Sequence, residues 1–523
     1  MKTREVLVGN VGVGGDNPIR IQSMTTSKTS DIKDTIDQII RLSDKGCEIV
    51  RVTVQGIKEA DSCEGIKGGL IQRGYTIPLV ADIHFFPRAA MRAVDFVDKI
   101  RINPGNYVDK RASFKVKEYD DALYCEEIKK IEEKFTPLVE KCKKLKRSMR
   151  IGVNHGSLSD RIMNRYGNTP NGMVESAIEF ARICRKNDYH DFIFSMKSSN
   201  PKIMISAYRL LVSEMTDLGW DYPLHLGVTE AGEGEDGRIK SAIGIGSLLL
   251  DGIGNTIRVS LTEDPCNEID PCKRLIAFAK TYKDTKAEST IKQYDKTVIV
   301  MANSTMFLQE PCIAAIVKDE SPDQWSMLEI IKPTLIFLSP STNRLNYSRQ
   351  FFNWLKTKKM QIPIIINFRY ECSKEEIVIQ CAAECGALFC DGLGDGLWIQ
   401  APYEIEFLRN LSLNILQASR MKTFKTDFIS CPGCGRTLFD IQDVSKRIRS
   451  KISHLPGIKI AIMGCIVNGP GEMSDADFGY VGSKPGVIDL YVGKQCVEKE
   501  INSTDADDHL IDLIKKHGRW VEP

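Results

Sequence analysis

The chain has 523 residues, with 71 Lys and Arg against 69 Asp and Glu and a formal net charge of +2. That length outgrows one hydrophobic core, so two to four domains are expected. The balanced charge argues against a nucleic-acid binder or a protein drawn to acidic membranes, both of which carry a basic excess. One basic run, "EKCKKLKRSMR" (140–150), reads as a solvated helix face.

No apolar stretch approaches the ~18–20 residues that span a bilayer. The opening "MKTREVLVGN" has neither a signal-peptide core nor a long Arg/Ser-rich transit segment. The expectation is a cytoplasmic protein with no membrane partner, or one of the plastid stroma if a transit peptide was removed before residue 1. The 16 cysteines read as reduced thiols, a few of them serving a metal.

The glycine-rich "VGNVGVGGDNP" near the start lacks the dinucleotide fingerprint and reads as a hairpin. From residue 20 to 261 one unit then repeats, a short strand followed by a loop and a helical pattern. The strand candidates are "IRIQSMT", "EIVRVTV", "PLVADIH", "KIRINPG", "RIGVNHG", "DFIFSMK", "PLHLGVTE" and "NTIRVSL". Eight such units over about 250 residues predict an α/β fold with a TIM (β/α)8 barrel, placed here at 1–270. The longest connection, 107–149, reads as a helical excursion.

These strands alternate in an unusual way. Arg101 and Asn103 share one face while Ile100 and Ile102 take the other, and Arg150 and Asn154 oppose Ile151 and Val153. His225 and Thr229 oppose Leu226 and Val228, and Arg258 and Ser260 oppose Ile257 and Val259. Helices cover the outside of such a barrel, so the polar set must face the lumen, towards the mouth where TIM-barrel active sites lie. Arg51, Arg101, Arg150, Lys197 and Arg258 then converge, and burying them unpaired would cost several kcal/mol each. A strong counter-anion is required, and so many cations suit a diphosphate better than one phosphate. The competing arrangement pairs each cation with a carboxylate such as Asp82 or Glu230. For proton transfer the candidates are His84, His155, His225 and Glu230, with Glu230, directly after a strand, preferred.

Residues 271–425 again alternate strands ("KTVIVMA", "TLIFLS", "IPIIINF", "ALFCDG") with helices and read as an inserted second α/β barrel-like domain. "LFCDGLGDGLWIQ" (388–400) echoes "LLLDGIGNTIRVS" (248–260), putting Trp398 where the barrel has Arg258. Loss of that cation points to a scaffold. Cys381, Cys385 and Cys390 miss the spacing of radical iron–sulfur enzymes and read as core residues on a helix and the following strand.

The last segment, 426–523, reads as a small α+β domain. "CPGC" supplies Cys431 and Cys434, and "GCIVNGPGE" adds Cys465 in a glycine-rich turn. The pair alone fits zinc, an iron–sulfur cluster or a redox dithiol; the third cysteine disfavours the dithiol. The fourth ligand is open between His454, Cys496 and Glu472. His454 would complete a structural zinc site. Glu472 would be a hard, displaceable ligand beside three thiolates, as a substrate-reducing cluster needs.

Taken in order, "IQSMTT", "IVRVTV", "PLVADIHF", "RINPGN", "RIGVNHGSL", "PLHLGVTEAG", "KSAIG", "IRVSL", "CPGC" and "GCIVNGPGE" resemble the hydroxymethylbutenyl diphosphate synthase family of the non-mevalonate isoprenoid pathway, in its large three-domain form. The resemblance implies a [4Fe–4S] cluster on Cys431, Cys434, Cys465 and Glu472. It implies a cyclic-diphosphate pocket of Arg51, Arg101, Asn103, Arg150, Asn154, Lys197, Arg258 and Ser260, joined by Asn468, with Glu230 as acid. His225 is placed in the same pocket from its lumen-facing position. The implied reaction is a two-electron reductive ring opening, with ferredoxin or flavodoxin as electron donor. A homodimer, in which a cluster domain closes over the partner's barrel, is left open. Two other readings remain: a non-redox barrel enzyme with a zinc domain, and an interaction protein with a dead barrel.

Overall fold

A computed structural model describes residues 2–109, 119–282, 298–302, 312–467, 469–473 and 475–522. The chain forms two compact units. The first joins Met1–Gly237, Gly252–Lys273 and Lys425–Pro523; the second joins Arg238–Asp251 and Arg274–Phe424. No helix among the described residues is long and apolar enough to cross a membrane.

The first unit opens with the expected hairpin, β1 (Glu5–Val8) and β2 (Val11–Gly14), paired antiparallel. Eight parallel strands follow: β3 (Arg20–Met24), β4 (Ile49–Val54), β5 (Leu79–Ile83), β6 (Lys99–Ile102), β7 (Ser148–Asn154), β8 (Phe192–Lys197), β9 (His225–Leu226) and β10 (Thr256–Ile257). Each lies within one of the eight sequence candidates or overlaps it. Their order is β8-β7-β6-β5-β4-β3-β10-β9. One parallel bridge, Phe194 to Leu224, joins the two ends and closes the ring.

Side-chain caps set where the helices begin. Asn103, Thr169 and Asn200 each precede a proline and accept a backbone N–H two or three residues on, satisfying amides the helix cannot. The excursion after β6 contains the helix Asp121–Leu145, capped by Asp120. It packs through Phe135 edge-on to Tyr107 at 5.6 Å and against Phe180 at 4.9 Å.

The second unit carries β11 (Ile299–Met301), β12 (Ala314–Val317), β13 (Leu335–Leu338), β14 (Ile364–Arg369) and β15 (Gly396–Gln400). Where a barrel-like insertion was expected, these described strands form a sheet with two edges, ordered β11-β15-β14-β13-β12, with β11 antiparallel to its neighbour. "ALFCDG", expected as a strand, is instead the end of the helix Lys374–Cys390, and Cys381, Cys385 and Cys390 all lie on that helix. A capping box at Ser373 and Glu376 starts it, and its apolar C-terminal half is fully buried, so its hydrophobic run reads the same as a core strand.

The echoed segments meet inside this unit. A Cβ on Gly246 would come within 2.5 Å of the Ala383 side chain, and one on Gly386, its counterpart, within 2.4 Å of Ile243. Arg349 then binds both matching aspartates, Asp251 at 2.7 Å and Asp391 at 2.9 Å. The two segments therefore contact each other through matching positions.

Back in the first unit, the C-terminal region forms β16 (Asp427–Ser430), β17 (Lys459–Met463), β18 (Phe478–Lys484), β19 (Val487–Val492) and β20 (Gln495–Asn502), in that spatial order. The first three run parallel and the last two antiparallel. Helices Ile441–Ile452 and Ala506–Lys516 pack on the sheet through Val444, Ile448, Leu510 and Ile514.

Candidate active site

The carboxyl ends of the barrel strands face the start of the C-terminal domain across a cleft. The barrel contributes Arg51, Asp82, His84, Arg101, Asn154, Lys197, Glu230, Arg258 and Ser260, and the C-terminal domain contributes Cys431, Cys434, Arg436 and Cys465. Backbone contacts seat the two parts together. Ala231 pairs in parallel with Ser430, and Thr262 Oγ1 donates to the carbonyls of Ser430 at 3.3 Å and Cys431 at 3.1 Å. Gly156 and Gly471 touch backbone to backbone; a Cβ on Gly471 would lie 1.4 Å from the Gly156 oxygen. Arg449 adds an ion pair to Glu233 at 3.0 Å.

The cations divide into two kinds. Arg101 and Arg258 have carboxylate partners. Arg101 Nη1 donates to Asp82 Oδ1 at 2.8 Å and its Nη2 to Asn154 Oδ1 at 3.2 Å. Arg258 Nε and Nη2 donate to Glu268 at 3.0 and 2.9 Å, and Glu268 also accepts from Ser23 Oγ at 2.7 Å. Arg51 and Lys197 have no carboxylate within ion-pair reach among the described residues. Arg51 lies against the Met24 sulfur, with Nη2 at 2.8 Å, and burial pushes it down to about 10 despite Asp82 nearby. Burial, then Arg51 and Arg258, holds Lys197 well below the ordinary lysine range. The arrangement with every cation paired therefore holds for two of these four.

Arg150 and His225 are fully buried and do not line the cleft. Arg150 precedes the cleft residue Asn154 by four positions on β7, and His225 precedes the cleft residue Thr229 by four in sequence, so both lie deeper in the barrel. Beside them is Lys99, also fully buried, whose Nζ donates to Gln22 Oε1 at 3.5 Å. Arg150 Nε and Nη1 and His225 Nε2 are buried without hydrogen-bond partners. Asn103 stays out of the cleft as well: it donates to Ser157 Oγ at 2.7 Å and caps Gly105 N at 3.2 Å. Asn468 lies outside the described residues.

Among the acid/base candidates, His84 Nε2 accepts from Arg101 Nη1 at 2.7 Å, and burial pushes His84 down to about 3, so it is neutral at pH 7. His155 sits against the Asn168 carbonyl at 3.1 Å, away from the cleft. Glu230 has a left-handed backbone, φ 49°, a strained conformation for a non-glycine residue, and its buried Oε2 has no partner. Burial raises the Glu230 carboxyl. Glu472 is raised too, by burial first and then by Glu230. Glu472 sits beside Gly156, and its buried Oε1 has no partner among the described residues.

The three cysteines are free thiols. Gly464 N–H donates to Cys431 Sγ at 3.3 Å. Burial raises the Cys431 thiol, followed by neighbouring Cys465, and raises the Cys465 thiol, followed by Cys434. The other proposed fourth ligands lie elsewhere. His454 faces the Val521 carbonyl at 2.8 Å, and Cys496 Sγ contacts the Glu498 carbonyl at 3.6 Å. No three His, Cys, Asp or Glu among the described residues are arranged to hold one metal ion.

Three residues at the site were not singled out from the sequence. Lys99 had a signal, since it shares the face of Arg101 in "KIRIN", and Arg436 follows the cysteine pair directly. Glu268 had none, because it comes from a turn ten residues beyond Arg258.

Comparison with known proteins agrees along the whole chain. The model of the GcpE TIM-barrel domain matches residues 3–273, and that of the GcpE protein C-terminal domain matches 427–516. A relative from Protochlamydia amoebophila, named 4-hydroxy-3-methylbut-2-en-1-yl diphosphate synthase (flavodoxin), is 56% identical over 632 aligned positions, covering 100% of this chain and 97% of its own. The Arabidopsis thaliana chloroplastic protein named as the ferredoxin form is 46% identical, covering 100% and 88%, and the Chlamydia muridarum flavodoxin form is 45% identical, covering 100% and 98%. The chain belongs to the GcpE family.

Proposed function

We propose that the chain converts 2-C-methyl-D-erythritol 2,4-cyclodiphosphate to 4-hydroxy-3-methylbut-2-enyl diphosphate in isoprenoid precursor biosynthesis. Two electrons and one proton enter. The carbon–oxygen bond that closes the ring to the diphosphate breaks, and a neighbouring hydroxyl leaves as water. The observation that carries this reading is that unpaired cations and three free thiols open on one cleft.

Arg51 and Lys197, without carboxylate partners, would take the diphosphate, and their burial makes an anion there strongly favourable. Arg101 and Arg258 are pre-oriented by Asp82 and Glu268 and would fix its position. As charge develops on the leaving diphosphate, these donors need no reorganisation. Glu230, raised by burial, would hold a proton on its unpartnered Oε2 and pass it to the departing hydroxyl.

The residues fit a [4Fe–4S] cluster. Cys431, Cys434 and Cys465 would bind it as thiolates, with the backbone amide of Gly464 turned to sulfur, and the unpartnered Glu472 Oε1 would be the displaceable fourth donor. When bound, the cluster would supply electrons one at a time from reduced flavodoxin or ferredoxin. Thiolates spread over separate irons need not converge on one point, which is consistent with the lack of a single-ion donor set. The zinc reading finds no support at His454, which is engaged at the Val521 carbonyl.

Turnover of the cyclic diphosphate by anaerobically prepared protein with reduced flavodoxin tests the reading. Formation of the linear allylic diphosphate is expected; an inert substrate with a cluster present and reduced would overturn it.

A further inference from the structure

Arg436 is the cation that the C-terminal domain places in the cleft, where the other lining cations come from barrel strands. Its side chain is 8% exposed and its Nη2 reaches Asp82 Oδ2 at 3.4 Å, a long contact to a carboxylate that Arg101 already holds at 2.8 Å. Its Nε and Nη1 are buried without partners. On its other side stand Cys434 and Cys465, close enough for their charge to act on the guanidinium. The loop is pressed against the barrel: a Cβ on Gly435 would lie 2.5 Å from Thr53 Oγ1 and 2.7 Å from the Ser27 carbonyl. The backbone that carries Arg436 is therefore seated directly on the barrel.

A buried guanidinium with one shared, distant carboxylate is under-compensated. Negative charge that arrives beside it is stabilised, and here that charge would come from the ligating thiolates and from each electron accepted by the group they hold. Hydrogen bonds to ligating sulfur and nearby positive charge both raise a cluster's reduction potential.

We infer that Arg436 is a positioning residue that raises the reduction potential of the group held by Cys431, Cys434 and Cys465, and ties that group to the substrate cleft through Asp82. This rests on the proposed function. It goes further in assigning to one side chain the coupling between electron acceptance and the diphosphate site. Asp82 acts in the opposite direction, by compensating part of the guanidinium's charge.

The test uses anaerobically prepared full-length holoprotein: wild type, Arg436→Gln, Arg436→Lys and Asp82→Asn. Each is titrated with dithionite against redox mediators while the visible spectrum is followed, and iron is counted in each. Arg436→Gln should lower the midpoint, cutting the ratio of reduced to oxidised clusters at the wild-type midpoint about tenfold, ~59 mV for one electron. Arg436→Lys should restore most of the shift, because charge carries it. Asp82→Asn should move the midpoint the other way. A fully loaded Arg436→Gln with the wild-type midpoint would overturn the inference and leave the proposed function standing. If Arg436→Gln does not hold iron, Asp82→Asn decides: a positive shift supports the inference, and an unchanged midpoint overturns it. Wild-type protein that binds no cluster would instead sink the proposed function.

Discussion

The turn that leads into β10 and the turn that leads into β15 have nearly the same backbone and opposite chemistry. In the first, a helix ends at Leu250, Gly252 and Gly254 take φ of 76° and 119°, and the strand begins at Thr256. In the second, a helix ends at Cys390, Gly392 and Gly394 take φ of 76° and 96°, and the strand begins at Gly396. At the matching strand position the first has Arg258, held by Glu268 at the cleft, and the second has Trp398, packed edge-on to Phe337 at 5.3 Å. Glycine and aspartate punctuation thus specifies the path of the chain. One side chain decides whether that path ends in an ion-binding site or in packing.

The comparison can be broken most forcefully at Arg258. Arg258→Leu makes the first turn chemically like the second and strands Glu268 as a buried, uncompensated carboxylate. About 3–5 kcal/mol of stability should be lost, seen in urea unfolding, and kcat/KM for the cyclic diphosphate should fall by at least about 100-fold. An Arg258→Leu enzyme of near-normal stability would show that Glu268 is not held by this arginine.

Lys99 sharpens the contrast from the other direction, since it is a cation with no carboxylate partner among the described residues. Lys99→Met should stabilise ligand-free protein by about 1–4 kcal/mol. Burial, then Arg150 and Arg51, holds folded Lys99 well below its unfolded range. As pH falls below that unfolded range, the unfolded chain takes a proton the folded one does not, and stability drops until folded Lys99 itself titrates. Lys99→Met should remove that slope, about 1.4 kcal/mol per pH unit.

His84 offers a smaller effect with the same sign. Its folded value of about 3 lies below the unfolded ~6.5, so its contribution is complete above pH 6.5 and is lost as pH falls towards 3. Between pH 7 and 5 the wild type should lose about 2 kcal/mol more than His84→Gln. Equal losses in urea melts would contradict this. Smallest of all, Trp398→Phe should cost under about 1.5 kcal/mol and leave turnover per folded molecule unchanged.

Strand alternation made the barrel and the lumen-facing set legible in the sequence, because a polar residue at every second position has only one place to go in a parallel barrel. Alternation gives a direction but no depth, so Arg150 and His225 read the same as Arg101 although they sit beneath the cleft. Asn103 read as a lumen residue too, yet the following Pro104 made it a helix cap. Glu268 was hidden because its pairing with Arg258 depends on how a later turn folds back. The apolar end of Lys374–Cys390 had no period to distinguish helix from strand. The second unit also takes in Arg238–Asp251, which no contiguous boundary drawn on the sequence could express.

The central claim is that the thiol-lined face of the cleft holds a redox cluster. Iron, acid-labile sulfide and zinc should be counted per chain, with a visible spectrum, on protein purified without oxygen. About four irons and four sulfides with broad brown absorbance are expected. One zinc per chain in a colourless, fully loaded protein would contradict the account.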